Sequence, residues 1–126
     1  MPMRTPAPRA ASSDRQLMAA ACLFRGLSEP NRLAIVQHLT RGEHRVVDLV
    51  DHLGLAQSTV SEHLACLRDC GLVTVRPEGR ASWYCLSRPE LFDLLTAAES
   101  FLAATGEQVV LCVTAEAVTP KRGSLR

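Results

Sequence analysis

The stretch Gly54-Leu55-Ala56-Gln57-Ser58-Thr59-Val60-Ser61-Glu62-His63-Leu64-Ala65-Cys66-Leu67-Arg68-Asp69-Cys70-Gly71 decides the fold. Gly54 to Gln57 reads as a turn. Ser58 then opens a helix that runs through Cys70 and is stopped by Gly71 at the C′ position. Val60, Leu64 and Leu67 recur at helical spacing and make its buried stripe. Its opposite face starts polar, with Gln57, Ser58, Thr59, Ser61, Glu62 and His63 pointing outward. Just upstream, Arg45 to Leu53 reads as a short helix with Val46, Leu49, Val50 and Leu53 inward. Two short helices across a Gly-containing turn make a helix-turn-helix.

Working outward, Asp14 to Gly26 has apolar residues at helical spacing (Leu17, Met18, Ala21, Leu23, Phe24), with Leu27 just beyond. Ser28 is the expected N-cap of a second helix, with Pro30 in its first turn and Leu33, Ile35, Val36 and Leu39 on its apolar face. Downstream, Leu72 to Val75 and Ala81 to Leu86 read as strands joined by a loop over Arg76 to Arg80. Pro89 opens a last helix carrying Leu91, Leu94, Leu95, Ala98, Phe101 and Leu102. The expected fold is mainly α with a small β-hairpin, a winged helix-turn-helix that dimerises through its first and last helices. Residues 14–105 form that domain. Residues 1–13, rich in Pro, Ala and Ser, are expected to be a disordered arm. Residues 106–126 are a tail with a short apolar run, Val109 to Val113, and a basic end.

The chain has 126 residues, 47% of them hydrophobic, which suits one domain with an ample core. Its formal net charge of +1 points to no particular partner, and Arg41 to Arg80 holds five basic residues against six acidic ones. No apolar run approaches the ~18 residues that cross a bilayer, so no membrane partner is expected. Arg4 and Arg9 are followed by no apolar stretch of the secretory kind, and a cytoplasmic setting is expected. There the five cysteines are expected to be reduced thiols. An enzyme is not expected: there is no phosphate loop, no Ser/His/Asp set and no pair of carboxylates with a pocket to serve. No organic cofactor is expected either.

In a winged helix-turn-helix the N-terminal half of the second helix enters the major groove of double-stranded DNA. Gln reads adenine in bidentate fashion, and Ser and Thr bond phosphates or base edges. Gln57, Ser58, Thr59, Ser61, Glu62 and His63 are therefore the candidate readers, and Arg80 at the hairpin tip reaches a phosphate or the minor groove. One such domain buries little surface, so a homodimer on a two-fold operator is expected.

Cys66 and Cys70 lie four apart on one face of the reading helix, with Cβ atoms about 5–6 Å apart. Thiolates so placed can share a soft metal ion, because metal–sulfur bonds of about 2.3 Å span that gap. Thiolates select zinc, cadmium, lead or copper(I), and trivalent arsenic also takes sulfur. Cys22 and Cys85 read as small apolar fillers. The rival is a thiol redox sensor. A Cys66–Cys70 disulfide would distort the helix, since disulfides want Cβ atoms about 3.5–4.5 Å apart, but a disulfide from Cys112 to either stays open.

The chain resembles the ArsR/SmtB family of metal-responsive repressors. Leu27-Ser28-Glu29-Pro30-Asn31-Arg32 is similar to that family's L-x-x-P-x-R opening, and Gln57 to Leu64 to its recognition helix. Gly71-Leu72-Val73, Gly79-Arg80 and Tyr84-x-Leu86 are similar to its wing. Cys66, Cys70 and the distant Cys112 most resemble the cysteines of the CmtR-type cadmium and lead sensors. The resemblance implies Cys66, Cys70 and Cys112 as ligands, with Cys112 supplied by the partner subunit, and cadmium or lead as inducer, zinc or arsenite being alternatives. It also implies a repressor that leaves operator DNA when metal binds. Two family features are missing. The last helix has no histidine, and Val46-Val47-Asp48-Leu49 stands where other members carry Cys-Val-Cys.

Overall fold

The computed structural model of the chain describes residues 7–113, with side chains from Ser13 onward. The elements run α1 (Ala7–Leu27), α2 (Pro30–Leu39), α3 (Val46–Leu53), α4 (Gln57–Asp69), β1 (Val73–Glu78), β2 (Ala81–Leu86) and α5 (Glu90–Ala104). This is the expected mainly helical winged helix-turn-helix. Ile35, Val36 and Leu39 of α2, Leu49 of α3, and Val60, Leu64 and Leu67 of α4 meet in one core. Leu72, Val73, Leu91 and Leu95 complete it.

Several boundaries differ from expectation, each for a local reason. Helix α1 begins at Ala7, inside the segment read as an arm, because Ala7, Arg9, Ala10 and Ala11 are strong helix formers and Pro8 is tolerated in a first turn; residues 1–6 lie outside the described residues. The N-cap of α2 is Glu29, not Ser28: its carboxylate accepts the Arg32 backbone N–H at 2.9 Å, while the Ser28 hydroxyl donates to Arg25 O. Helix α4 is capped by Ala56, so Ser58 sits inside the first turn with no capping duty. The hairpin is tighter than expected. Arg76, Pro77 and Glu78 belong to β1, and the turn shrinks to Gly79-Arg80, with Gly79 at φ 62°. Glycine takes that left-handed conformation without steric cost.

Three structural joints place α4 and the wing. Arg32 reaches back from α2 and donates to Gly26 O at 3.0 Å and Arg25 O at 2.9 Å, closing the last carbonyls of α1. Gly71 takes φ 79° beyond the α4 cap. There Leu72 N donates to Leu67 O and Gly71 N to Arg68 O, a Schellman ending that turns the chain into β1. The wing is fastened to the segment between α2 and α3. His44 and Tyr84 exchange backbone hydrogen bonds, Arg76 pairs with Glu43 at 2.7 Å, and the Arg45 guanidinium lies 5.1 Å over the Trp83 ring. Each reinforces the packing of a two-stranded hairpin that would be marginal alone.

Candidate nucleic-acid interface and cysteine site

Helix α4 holds its apolar stripe, Val60, Leu64 and Leu67, at 1% exposure or less, which fixes its rotation. Gln57, Ser58, Ser61 and Glu62 are exposed on the other side, and Thr59 is half-buried. His63 departs from expectation. Its ring turns back toward α2, with Nε2 3.7 Å from Glu29 Oε1 and only 17% of the side chain exposed. It sits at the joint between α4 and the start of α2 rather than on the open face. Arg80 is exposed at the turn of the wing, and the other wing arginine, Arg76, is held by Glu43 and Glu78. Those contacts raise the Arg76 pKa and, chiefly through the Arg76 hydrogen bond, lower that of Glu43.

Helix α3 is set by a capping box. Asp48 accepts the Arg45 backbone N–H at 2.9 Å and takes the Arg45 guanidinium at 3.0 Å. The side-chain hydrogen bond from Arg45 holds the Asp48 carboxyl well below its usual range, at about 2.

The cysteines do not fall as the spacing alone suggested. Cys66 is a free, half-buried thiol one turn before Cys70. Cys70 is the C-cap of α4, and its sulfur is bonded to that of Cys22 on α1, with Cα atoms 5.4 Å apart. Cys22 is thus half-exposed and paired, not an apolar filler, and these two cysteines are not reduced thiols here. The Arg25 guanidinium lies beside both sulfurs, Nη2 being 3.5 Å from Cys22 Sγ and 3.7 Å from Cys70 Sγ. Gly26 permits this approach of α1: a Cβ there would stand 2.6 Å from Leu72 Cδ1 and 3.7 Å from Cys70 Cβ. Cys85 faces Thr74 across the hairpin, Sγ to Oγ1 3.3 Å.

Cys112 is carried by a tail segment that docks on α2 and α5. Glu99 accepts the backbone N–H groups of Leu111 and Cys112, Gln37 Nε2 donates to Val110 O, and Val113 N donates to the buried Thr40 hydroxyl. Burial pushes the Cys112 thiol pKa up, and the neighbouring Glu99 carboxylate adds to it. Among the described residues of one chain, no three His, Cys, Asp or Glu side chains are grouped to hold a metal ion. Cys66, Cys70 and Cys112 are therefore not assembled within a single subunit. Cys66 and Cys112 are free thiols and Cys70 is bonded to Cys22; once reduced, all three would be soft sulfur donors of the kind a thiophilic ion takes.

A feature not anticipated from sequence is a trio of imidazoles at the α2–α3 junction. His38 and His52 stack at 5.1 Å between ring centroids, and His44 meets both edge-on. Histidine spacing along the chain carries no sign of this, because the three come from α2, a loop and α3.

Residues 29–75 match the family described as bacterial regulatory protein, arsR family. The chain is 45% identical over 98 residues to the HTH-type transcriptional regulator CmtR of Mycobacterium tuberculosis, covering 75% of this chain and 74% of that one. It is 39% identical over 94 residues to the probable mercury resistance operon repressor of Streptomyces lividans, with the same coverage of both. Among solved structures it is similar to HlyU from Vibrio cholerae (32% identity, TM-score 0.62, 68% of this chain and 94% of that one). It is also similar to NolR from Sinorhizobium fredii (28% identity, TM-score 0.66, 79% and 96%). Among the described residues, no helix is long and apolar enough to cross a membrane.

Proposed function

The chain belongs to the arsR family of bacterial regulatory proteins, DNA-binding transcriptional repressors and not enzymes, and from that we propose a homodimeric repressor released from operator DNA by a thiophilic metal ion. The observation that carries the reading is the position of Cys66 and Cys70 on the last turns of α4, whose first turns present Gln57, Ser58, Thr59, Ser61 and Glu62. A ligand held by those sulfurs acts on the reading helix directly. Cys112 is the third ligand. By the resemblance to the CmtR-type sensors it is supplied by the second subunit, over a dimer interface formed by α1 and α5, in keeping with the three not being grouped among the described residues of one chain. Thiolates take any of several soft ions, and the resemblance to the CmtR-type sensors favours cadmium or lead as inducer, with zinc or arsenite as alternatives.

Apolar side chains left open on the two outer helices support the dimer: Leu17, Met18 and Phe24 on α1 and Phe101 on α5 are 58–72% exposed. Exposed apolar groups gathered on flanking helices are the ordinary mark of an interface. Two copies then present two α4 helices to successive half-sites, with Arg80 on each wing touching the flanking backbone.

Metal and DNA must oppose each other reciprocally: if metal weakens DNA binding, DNA weakens metal binding by the same factor, typically ~5–150-fold. Fluorescence anisotropy of the reduced protein on its promoter DNA, with cadmium, lead, zinc and arsenite in turn, tests this. Cys66→Ser and Cys70→Ser are expected to bind DNA as the parent does and to stay bound when metal is added. Normal release of either variant by metal would remove that cysteine from the ligand set.

A further inference from the structure

Cys22 lies on α1, outside the proposed ligand set, yet its sulfur meets that of Cys70. We infer that Cys22 and Cys70 form a reversible disulfide that withdraws Cys70 from the metal site, so that an oxidised regulator no longer answers to metal. The inference rests on the proposed role of Cys70 as a ligand.

Four observations carry it. The Cα–Cα distance of 5.4 Å suits a disulfide without backbone movement, inside the usual range of about 4.4–6.8 Å. The two residues come from different elements, α1 and the C-cap of α4, so the bond needs no distortion within one helix. A groove of about 420 Å³ lined by Leu23, Cys70, Leu72, Arg88 and Leu94 opens onto Cys70 and admits a small reagent. The Arg25 guanidinium touches both sulfurs and stabilises the negative charge that returns to one of them when the bond is cleaved. Cysteine ligates a soft ion as a thiolate, so a sulfur in the disulfide is lost to the metal site. Oxidation and metal loading thus compete for one atom.

With hydrogen peroxide as oxidant, one thiolate attacks a peroxide oxygen, becomes a sulfenic acid and expels hydroxide, which leaves as water. The second thiolate then attacks that sulfur, forming the S–S bond and expelling the second water. Two electrons pass from the sulfurs to the peroxide, and both thiol hydrogens end in water. A small-molecule thiol reverses the reaction by exchange through a mixed disulfide, itself being oxidised.

The test uses the purified full chain, reduced or treated with hydrogen peroxide. Cross-linked peptides are mapped by mass spectrometry, and cadmium loading is followed by thiolate-to-metal charge-transfer absorption. The expected result is a Cys22–Cys70 cross-link with loss of the cadmium band, both reversed by reductant. Cys22→Ser, treated identically, should keep the band. A cross-link to Cys66 or Cys112 instead, or equal loss of the band in Cys22→Ser, overturns the inference. So does weaker cadmium binding by reduced Cys22→Ser, which would make Cys22 a ligand. Failure of the metal reading is seen separately: reduced parent protein would then show no cadmium band, whatever the cross-link.

Discussion

Asp48 shows how much a single carboxylate contributes in so short a helix. It accepts the backbone N–H of the residue that caps α3 and holds that residue's guanidinium, and α3 is only 8 residues long. Its folded pKa lies below its unfolded value of about 4, so the folded chain holds this proton less tightly. The stability it contributes is fully present above about pH 4 and drains away as the pH falls towards 2. Asp48→Asn is expected to cost about 1 kcal/mol at neutral pH, the usual net worth of a hydrogen bond. It should also flatten the acid limb of urea-denaturation midpoints between about pH 4 and 2; an unaltered limb would place that proton uptake elsewhere. The same scale holds the correction at His63: its place in the reading stretch suggested an outward ring, and only the Glu29 carboxylate across the α2–α4 joint shows why it turns in.

At the scale of elements, the proposed repressor divides the work of meeting DNA between the wing and α4. In the wing, Arg76 is occupied by Glu43 and Glu78; nearby, Arg45 at the start of α3 is occupied by Asp48 and Trp83, which leaves Arg80 as the exposed cation of the turn. A phosphate contact carries no sequence information but releases counterions. Arg80→Ala is therefore expected to weaken binding to operator and unrelated duplexes alike and to lower the slope of log K against log salt by about 1. An unchanged slope would remove Arg80 from the interface. Helix α1 is tied from both sides, by Arg32 at its last carbonyls and by Cys22 to the end of α4. A change at the α4 C-terminus is thereby felt by the helix that the proposal places in the dimer.

For the molecule as a whole, the described core is centred on α2, α3 and α4, while α1 gives it Leu23 and Leu27 and leaves Leu17, Met18 and Phe24 open. If those side chains make the dimer, a buried charge among them is costly. Phe24→Glu is expected to shift the protein to a monomer in analytical ultracentrifugation and to abolish tight operator binding. Its helical circular dichroism should remain, because Phe24 is 58% exposed in the single chain and outside the core. A dimer surviving this change would move the interface off that face of α1.

Local and periodic features were legible in the residues themselves. The stripe of Val60, Leu64 and Leu67, the stop at Gly71, the polar opening of α4 and the two wing strands follow from spacing and backbone preference, which need no knowledge of distant segments. Caps were less legible, because Ser28 and Glu29 compete for the same N–H groups and only the path of the chain chooses between them. What tertiary structure alone decided are the meetings across long loops. Cys22 and Cys70 are 48 residues apart, the imidazoles of His38, His44 and His52 converge from three segments, and the tail brings Cys112 against α5 beside Glu99. No sequence period encodes such contacts. They arise when several amphipathic faces close on one core, and that closure brings the Cys22 sulfur to Cys70.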